Sequence, residues 1–238
     1  MKLADYVTER LKSLGIKYVF GITGSAIAEV FDSFRKFDDI DYVCVQHEQA
    51  AAMAAEGYAR ITDNIGAAIV TSGPGATNLI TGIACAWFDS IPCIYIAGQV
   101  NSKFTKGDKP IKQVGFQELD IVNIVKPIVK YAEMVKSPDD IKYILDKAIY
   151  LAKSDRPGPV LIDLPMDIQR ADIDPDKLRG YTPEKNLELD SKDIIQNKIG
   201  MYIQELKKSK RPVILVGAGV KLSKSTKLLY DLLEKSKI

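Results

Sequence analysis

The chain has 238 residues, of which 46% are hydrophobic and 27% are charged, a composition typical of a globular protein. Its 33 basic and 31 acidic residues nearly cancel, which argues against partners such as nucleic acid or an acidic membrane surface. Three cysteines lie in apolar stretches without a CxxC pair, so they indicate free thiols in a reducing compartment rather than disulfides or a zinc site. No apolar segment is long enough for a secretory signal or a membrane span, and we therefore expect a cytoplasmic protein.

Short apolar runs alternate with helical patterns along the first 170 residues. The predicted elements are helix 3–14, strand 17–22, helix 26–34, strand 41–46, helix 48–60, strand 66–72, helix 78–88, strand 92–99, helix 138–153 and strand 158–165. Continuous apolar runs are typical of strands that crossover helices cover on both faces. We therefore predict an α/β fold, a doubly wound and mostly parallel sheet with helices on both faces.

A polar stretch over residues 171–190 interrupts this pattern with two prolines and a glycine, and it predicts a linker after a first domain at 1–170. A helix over about 191–209, a strand over 211–219 and one further helix then predict the beginning of a second α/β domain, 191–238. One strand and two helices cannot complete a parallel sheet. The second domain is therefore expected to be incomplete.

In doubly wound folds, ligands bind beyond the carboxyl ends of the strands, so four loops form the candidate site. Their sequences are GITGSA (21–26), VQHEQ (45–49), TSGPGATN (71–78) and AGQVNS (97–102). The TSGPGATN turn can hold a ligand on exposed helix amides, or it can be a tight turn with a capping residue. The chain contains neither a GxGxxG fingerprint nor a P-loop, which argues against a nicotinamide dehydrogenase.

Glu48 stands in the first turn of the helix predicted over 48–60, directly after the only histidine, His47. The helix dipole alone favours an acid at this position by up to about 1 kcal/mol. The alanines that follow leave room for close approach by another helix or another chain; they are Ala50, Ala51, Ala52, Ala54 and Ala55. A carboxyl group sheltered at such a contact can act as a general acid or base.

Several segments, in order over residues 1–170, resemble the pyrimidine-binding domain of thiamine diphosphate-dependent enzymes, closest to the acetolactate synthase large (catalytic) subunit. They are VFGITGSA, QHEQAAAMAAEGYAR, VTSGPGATNLITGIACAWFDSIP, AGQV, GFQELDIVNIVKPIVKYA and RPGPVLIDLPMDIQ. After the linker, RPVILVGAGV resembles the first strand of the central domain of these enzymes. The GDG and metal-ligand asparagine motif of their diphosphate-binding domain does not occur, so we expect a fragment or a natural split subunit that is inactive alone.

The resemblance implies a role for each matching residue. Glu48 would hydrogen-bond N1′ of the cofactor's aminopyrimidine and relay the proton that allows deprotonation at thiazolium C2. The other cofactor-contacting positions are Gly24, Ser25, Pro74 and Asn78. The substrate-side positions are Ala26, Phe116 and Gln117. Of these, Gln117 would also be catalytic, as a hydrogen-bond donor to the reacting intermediate.

The resemblance further implies decarboxylation of pyruvate and carboligation of the remaining fragment to a second carbonyl compound, a reaction of branched-chain amino acid biosynthesis. The implied cofactors are thiamine diphosphate and Mg²⁺, with the metal held by a diphosphate-binding domain, and FAD is a further candidate. The implied assembly is a homodimer or tetramer with the cofactor at a subunit interface. A separate diphosphate-binding chain is the alternative partner, and residues 1–238 are assigned no metal ligand.

Three residues depart from the acetolactate synthase pattern. Ile22 replaces a tyrosine, Ser25 replaces the second glycine of a turn, and Met166 replaces a lysine. These departures support an alternative, another thiamine diphosphate-dependent 2-oxo-acid decarboxylase or carboligase. A non-catalytic fragment is the third hypothesis.

Overall fold

The computed structural model describes residues 1–183 and 192–237, and the chain divides into two compact units, Met1–Pro183 and Glu184–Ile238. The first unit contains a sheet of six strands in which all neighbouring strands run parallel. In spatial order these strands are β2 (Asp41–Cys44), β1 (Tyr18–Gly21), β3 (Gly66–Val70), β4 (Cys93–Gln99), β6 (Pro159–Pro165) and β5 (Tyr131–Met134). This arrangement confirms the predicted doubly wound α/β fold.

Helices cover both faces of the sheet. In chain order, those of the first unit are α1 (Leu3–Ser13), α2 (Ala28–Ser33), α3 (Glu48–Thr62), α4 (Pro74–Thr77), α5 (Ile80–Phe88), α6 (Ile121–Val125), α7 (Ile141–Lys153) and α8 (Met166–Gln169). Within β4, Ile94 and Ile96 pack with α1, α2 and α7, whereas Cys93 and Tyr95 pack with α3, α5 and α6. Successive side chains of a strand point to opposite faces, so a strand buried on both faces must be apolar throughout.

Short 3₁₀ turns extend several of these elements; they are Ser25–Ile27, Phe34–Lys36, Ser102–Phe104, Lys126–Ile128 and Pro138–Asp140. The helix predicted over 78–88 is preceded in the structure by the separate single turn α4. Strand β5 was not predicted, because its four residues are only half-buried at the edge of the sheet and form no apolar run. No helix in the two described ranges is long and apolar enough to cross a membrane.

The alanines of α3 lie mostly inside their own unit. Ala51, Ala52 and Ala55 are fully buried against α5 and β3. A Cβ added at Gly82 of α5 would overlap the Cβ of Ala52 and lie 3.2 Å from its backbone. The predicted close approach is thus made by a helix of the same chain. The two remaining alanines of the set, at the surface or half-buried, are Ala50 and Ala54.

The close contact between Gly82 and Ala52 predicts that adding one methyl group at Gly82 changes the stability of the chain. Gly82→Ala gains helix propensity but overlaps atoms that cannot move aside, so we expect a net loss of about 1–3 kcal/mol in the free energy of unfolding. Gly57→Ala in α3 is the matched control, since nothing lies within 4 Å of the added Cβ. It should stabilise the chain by roughly 0.5–1 kcal/mol. Urea unfolding, monitored by circular dichroism, measures the free energy of unfolding of both variants. Equal stability of the two variants would contradict the close helix contact.

Part of the predicted linker packs on the first unit. The backbone N–H of Leu3 donates to the carbonyl of Ala171 at 2.9 Å, and Ile173 donates to the carbonyl of Met1 at 2.9 Å. Further along, the ring of Tyr181 lies 5.5 Å from that of Tyr143 in α7. Residues 184–190 of the predicted linker lie outside the described residues.

The second unit, over residues 192–237, contains the helices α9 (Lys192–Lys208), α10 (Gly219–Leu222) and α11 (Thr226–Ser236). The strand predicted over 211–219 is wrong, because this segment has no regular structure before α10. Val213 and Leu215 are 90% and 97% exposed. A strand needs a neighbour to accept its backbone hydrogen bonds, and no strand occurs among the described residues of this unit.

Candidate active site

The candidate loops meet at one edge of the sheet. Because all six strands are parallel, their carboxyl ends lie on the same side, and the loops after β1, β2, β3 and β4 leave from there. The four segments singled out in the sequence follow these four strand ends. The fold therefore places all four candidate loops at the carboxyl edge of the sheet, where ligands bind in folds of this type.

Glu48 is the first residue of α3, and His47 is its N-cap. The Nδ1 of His47 accepts a hydrogen bond from the backbone N–H of Gln49 at 3.2 Å, which gives the histidine a structural role. Glu48 is half-buried, and its Oε2 accepts a hydrogen bond from Nδ2 of Asn78 at 2.8 Å. Its Oε1 makes no hydrogen bond within the described ranges. One carboxylate oxygen is thus fixed, while the other is open.

The turn between β3 and α4 places Asn78 opposite this carboxylate. Gly73 has a φ of +59°, which strongly favours glycine, and Pro74 then occupies the first turn of α4. The backbone N–H of Asn78 donates to the carbonyl of Pro74 at 3.0 Å. A Cβ at Gly75 would lie 3.3 Å from Oε1 of Glu48. The absence of a side chain at this glycine keeps the open oxygen accessible.

Thr71 joins two glycine turns that are far apart in the sequence. A Cβ at Gly24 would lie 2.5 Å from the Cβ of Thr71, and one at Gly75 would lie 2.7 Å from its Cγ2. The turn after β1 therefore contacts the turn after β3, and Ser25 follows on the exposed side. Sequence reasoning included Thr71 in the TSGPGATN segment but gave it no role, because its contact with Gly24 crosses between neighbouring strands.

Gln117 and Phe116 lie beside the same turn. A Cβ at Gly73 would lie 2.6 Å from the backbone carbonyl oxygen of Gln117, which itself has a φ of +59°. The Phe116 ring is 81% exposed and projects into solvent. Buried Glu118 holds this segment, since its carboxylate accepts hydrogen bonds from the backbone N–H groups of Lys106 and Val114, the latter at 2.7 Å.

Ala26 lies behind the turn after β1. Its side chain is 3% exposed, and its carbonyl accepts a hydrogen bond from Nε2 of Gln169 in α8 at 2.7 Å. Within this chain Ala26 contacts the interior, so its substrate-side role stays a prediction. Pro74, in contrast, is exposed at the edge that carries Glu48 and Asn78. The structure therefore brings together the residues predicted to contact the cofactor, with Ala26 set deeper.

A buried carboxyl group, also missed in the sequence, links β6 to β4. Asp163 is 2% exposed, and its Oδ2 accepts a hydrogen bond from Nε2 of Gln99 at 3.0 Å. Its Oδ1 has no partner among the residues described. Burial raises the pKa of Asp163 to about 7, against the effect of the Gln99 hydrogen bond and with a smaller contribution from the charges of Asp120 and Glu118. Gln99 also donates to the carbonyl of Leu119 at 2.9 Å, which ties the strand end to the segment carrying Gln117.

Comparison with known proteins agrees with this geometry. Residues 1–124 match the family profile described as the N-terminal TPP binding domain of thiamine pyrophosphate enzymes, TPP being a synonym of thiamine diphosphate. The chain belongs to the thiamine pyrophosphate enzyme family. The match covers β1 to β4 and the loops that follow them, so the family's domain contains Glu48, Asn78 and Gln117.

Several relatives of this thiamine pyrophosphate enzyme domain are similar over nearly its whole length. The acetolactate synthase large subunit of Buchnera aphidicola subsp. Acyrthosiphon pisum is 40% identical over 98% of the chain. The isozyme 3 large subunit of Escherichia coli K12 is 41% identical over 91%, and the probable large subunit of Methanocaldococcus jannaschii is 39% identical over 100%. The chain spans 40%, 37% and 39% of the length of these three relatives.

Proposed function

We propose that this chain forms the aminopyrimidine-binding half of a thiamine diphosphate-dependent enzyme that acts on 2-oxo acids in the manner of an acetolactate synthase. The observation that carries the proposal is the Glu48 carboxylate, with Oε2 held by Asn78 and Oε1 open beside Gly75. An aminopyrimidine ring needs one carboxyl oxygen at N1′ and a flat space without side chains. The residues present fit this end of the cofactor.

The chain's own residues would bind the ring and move one proton. Glu48 would hold a proton at N1′ of the aminopyrimidine, and Asn78 would keep the carboxylate oriented toward it. Gln117 would donate a hydrogen bond on the substrate side, next to the Gly73 turn. Thiamine diphosphate, when bound, supplies the electron sink for decarboxylation of the 2-oxo acid. The protein would contribute the orientation of the ring and the proton relay.

The rest of the assembly follows from the same proposal. The diphosphate and Mg²⁺ would be bound by a further segment or a separate chain, and FAD stays a prediction tied to the central domain. The cofactor would lie between two copies of this chain. Exposed apolar side chains on α3 and at the end of α5 support such an interface; they are Met53, Ile61, Trp87 and Phe88. A cytoplasmic location is supported by the three cysteines, all of which are free thiols.

A substrate assay tests the proposal. With the diphosphate-binding part, thiamine diphosphate and Mg²⁺ present, we expect pyruvate to give carbon dioxide and acetolactate. Carbon dioxide with acetaldehyde and without acetolactate would instead support another 2-oxo-acid decarboxylase or carboligase, the alternative that Ser25 and Met166 favour. If thiamine diphosphate binds and no 2-oxo acid releases carbon dioxide, the enzymatic proposal is wrong and the chain is non-catalytic.

A further inference from the structure

Gln117, the proposed hydrogen-bond donor on the substrate side, lies in a turn whose backbone is strained. The turn runs from Gly115 to Glu118, and the backbone N–H of Glu118 closes it by donating to the carbonyl of Gly115 at 3.2 Å. Gln117 is the third residue of this turn and has a φ of +59°, at a position where glycine or asparagine is usual. Such a left-handed conformation persists where neighbouring groups hold it in place.

The side chain of Gln99, the last residue of β4, holds this turn from the interior of the first unit. Gln99 is 3% exposed, and its amide group makes three hydrogen bonds. Nε2 donates to the carbonyl of Leu119 at 2.9 Å and to Oδ2 of Asp163 at 3.0 Å. Oε1 accepts a hydrogen bond from the backbone N–H of Val100 at 3.0 Å. The bond to Leu119 fixes the backbone two residues after Gln117.

A second contact joins the beginning of the turn to the same strand end. A Cβ at Gly115 would lie 2.9 Å from both methyl carbons of Val100, so this close approach requires glycine. The position of Val100 is itself fixed by the hydrogen bond of its backbone N–H to Gln99. The Gln99 amide therefore acts on both ends of the turn, through Val100 at its start and through Leu119 after its end.

Asp163 keeps the Gln99 amide in this orientation. A glutamine amide has two N–H bonds, and here one is directed to Leu119 and the other to Asp163. Without an acceptor at Asp163, one buried N–H would be left unpaired, which favours rotation of the Gln99 side chain away from Leu119. A carboxyl group offers an acceptor oxygen whether it is ionised or neutral, so this role of Asp163 does not depend on its charge.

We propose that Gln99 and Asp163 are positioning residues of the active site, which hold Gln117 in its left-handed conformation against Gly73 and so direct its side chain to the substrate; this inference rests on the proposed function above. Neither residue contacts the cofactor or the substrate in this arrangement. Their effect passes through the backbone of the turn. When either one is lost, the turn relaxes and Gln117 leaves its position.

Hydrogen exchange on the 238-residue chain, without cofactor, tests this positioning. The probe is the backbone N–H that closes the turn, that of Glu118, followed by NMR on isotope-labelled chain. Gln99→Leu removes the amide and Asp163→Leu removes its acceptor, so in both variants we expect this N–H to exchange at least about tenfold faster than in the parent. Asp163→Asn keeps an acceptor oxygen for Gln99 and should exchange like the parent.

Gln169, at the end of α8, provides the matched control for Gln99→Leu. It is also a buried glutamine, 0% exposed, and its Nε2 donates to two backbone carbonyls, one of them that of Ala26 at 2.7 Å. Gln169→Leu should accelerate exchange at the hydrogen-bonded N–H of Ile27 and leave that of Glu118 unchanged. Faster exchange at Glu118 in both glutamine variants would instead indicate a general loss of stability.

The cofactor-loaded assembly adds a readout of function. Exchange of the cofactor C2 proton depends on Glu48 and should be the same in Asp163→Leu as in the parent. In contrast, kcat for release of carbon dioxide from pyruvate should fall at least about tenfold, because Gln117 no longer reaches the intermediate, and Asp163→Asn should restore it. An equal loss in both steps would contradict a role that acts through Gln117.

The hydrogen-exchange experiment decides the inference even if the proposed function fails. Unchanged exchange at Glu118 in Gln99→Leu and Asp163→Leu would overturn it, as would exchange in the parent at the rate of an unstructured peptide. Failure of Asp163→Asn to restore slow exchange would remove Asp163 from the positioning role. A failure of the proposed function would appear as the absence of carbon dioxide release by the parent assembly, so the two failures are distinguishable.

Discussion

Replacing Glu48 with glutamine should slow the exchange of the C2 proton of bound thiamine diphosphate by about 10²- to 10⁴-fold, the usual contribution of a positioned general acid or base. Glutamine has the size of glutamate and can still accept the hydrogen bond from Asn78, but it cannot hold or release a proton at N1′. Hydrogen–deuterium exchange followed by NMR on the cofactor-loaded assembly measures this rate directly. This rate reports on activation of the cofactor alone and does not depend on which substrate the enzyme uses.

Two further variants calibrate this result. Glu9→Gln removes the same charge from an exposed position on α1 and should leave the exchange rate unchanged. Asn78→Ala removes the donor that orients Oε2 of Glu48 while keeping the acid, so we expect a smaller loss of roughly tenfold. If Glu48→Gln binds cofactor and exchanges at the parent rate, Glu48 has no part in the proton transfer. A loss in Glu9→Gln would point to a general effect of charge.

The fold was predictable from the sequence where burial alone decides the pattern. Strands β3, β4 and β6 are buried at every residue, and each one stood out as a continuous apolar run. Strand β5 was missed because an edge strand of half-buried residues carries no such signal. The segment 211–219 carried the signal without forming a strand, since an apolar run becomes a strand only beside a neighbour.

The same distinction applies to the candidate site: local motifs indicated some of its residues, whereas contacts between distant segments could not be predicted. Glu48 and Asn78 were singled out from local motifs, and the parallel sheet brings them within hydrogen-bonding distance, 2.8 Å. The contact of Thr71 with Gly24 and that of Asp163 with Gln99 could not be predicted, because each joins segments from different strands. The alanines of α3 show what composition cannot predict, because small side chains indicate that another element packs closely but do not identify that element. Gly82 of the same chain makes that contact with Ala52.

Asp163 makes the stability of the first unit depend on pH. Burial raises its pKa from the ordinary value of 3.8 to about 7, so the folded chain keeps the proton between these values while the unfolded chain has lost it. The unfolded state therefore binds fewer protons in this window, and stability falls as the pH rises through it. The interval is roughly three pH units at 1.36 kcal/mol each, which gives a destabilisation on the order of 4 kcal/mol above pH 7.

Asp163→Asn should remove this penalty, because the amide resembles the protonated carboxyl group and its oxygen can accept the Gln99 hydrogen bond at the same position. Measured by urea unfolding, the variant and the parent should be close in stability near pH 4. The variant should then gain steadily up to pH 7 and stay ahead by up to about 4 kcal/mol at pH 8. Asp38→Asn removes one carboxylate from an exposed loop and measures the general effect of the charge. If the difference in stability between Asp163→Asn and the parent is constant from pH 4 to pH 8, Asp163 has the same pKa in the folded and the unfolded chain. The buried Gln99–Asp163 pair would then have to be in contact with water, although Asp163 is only 2% exposed.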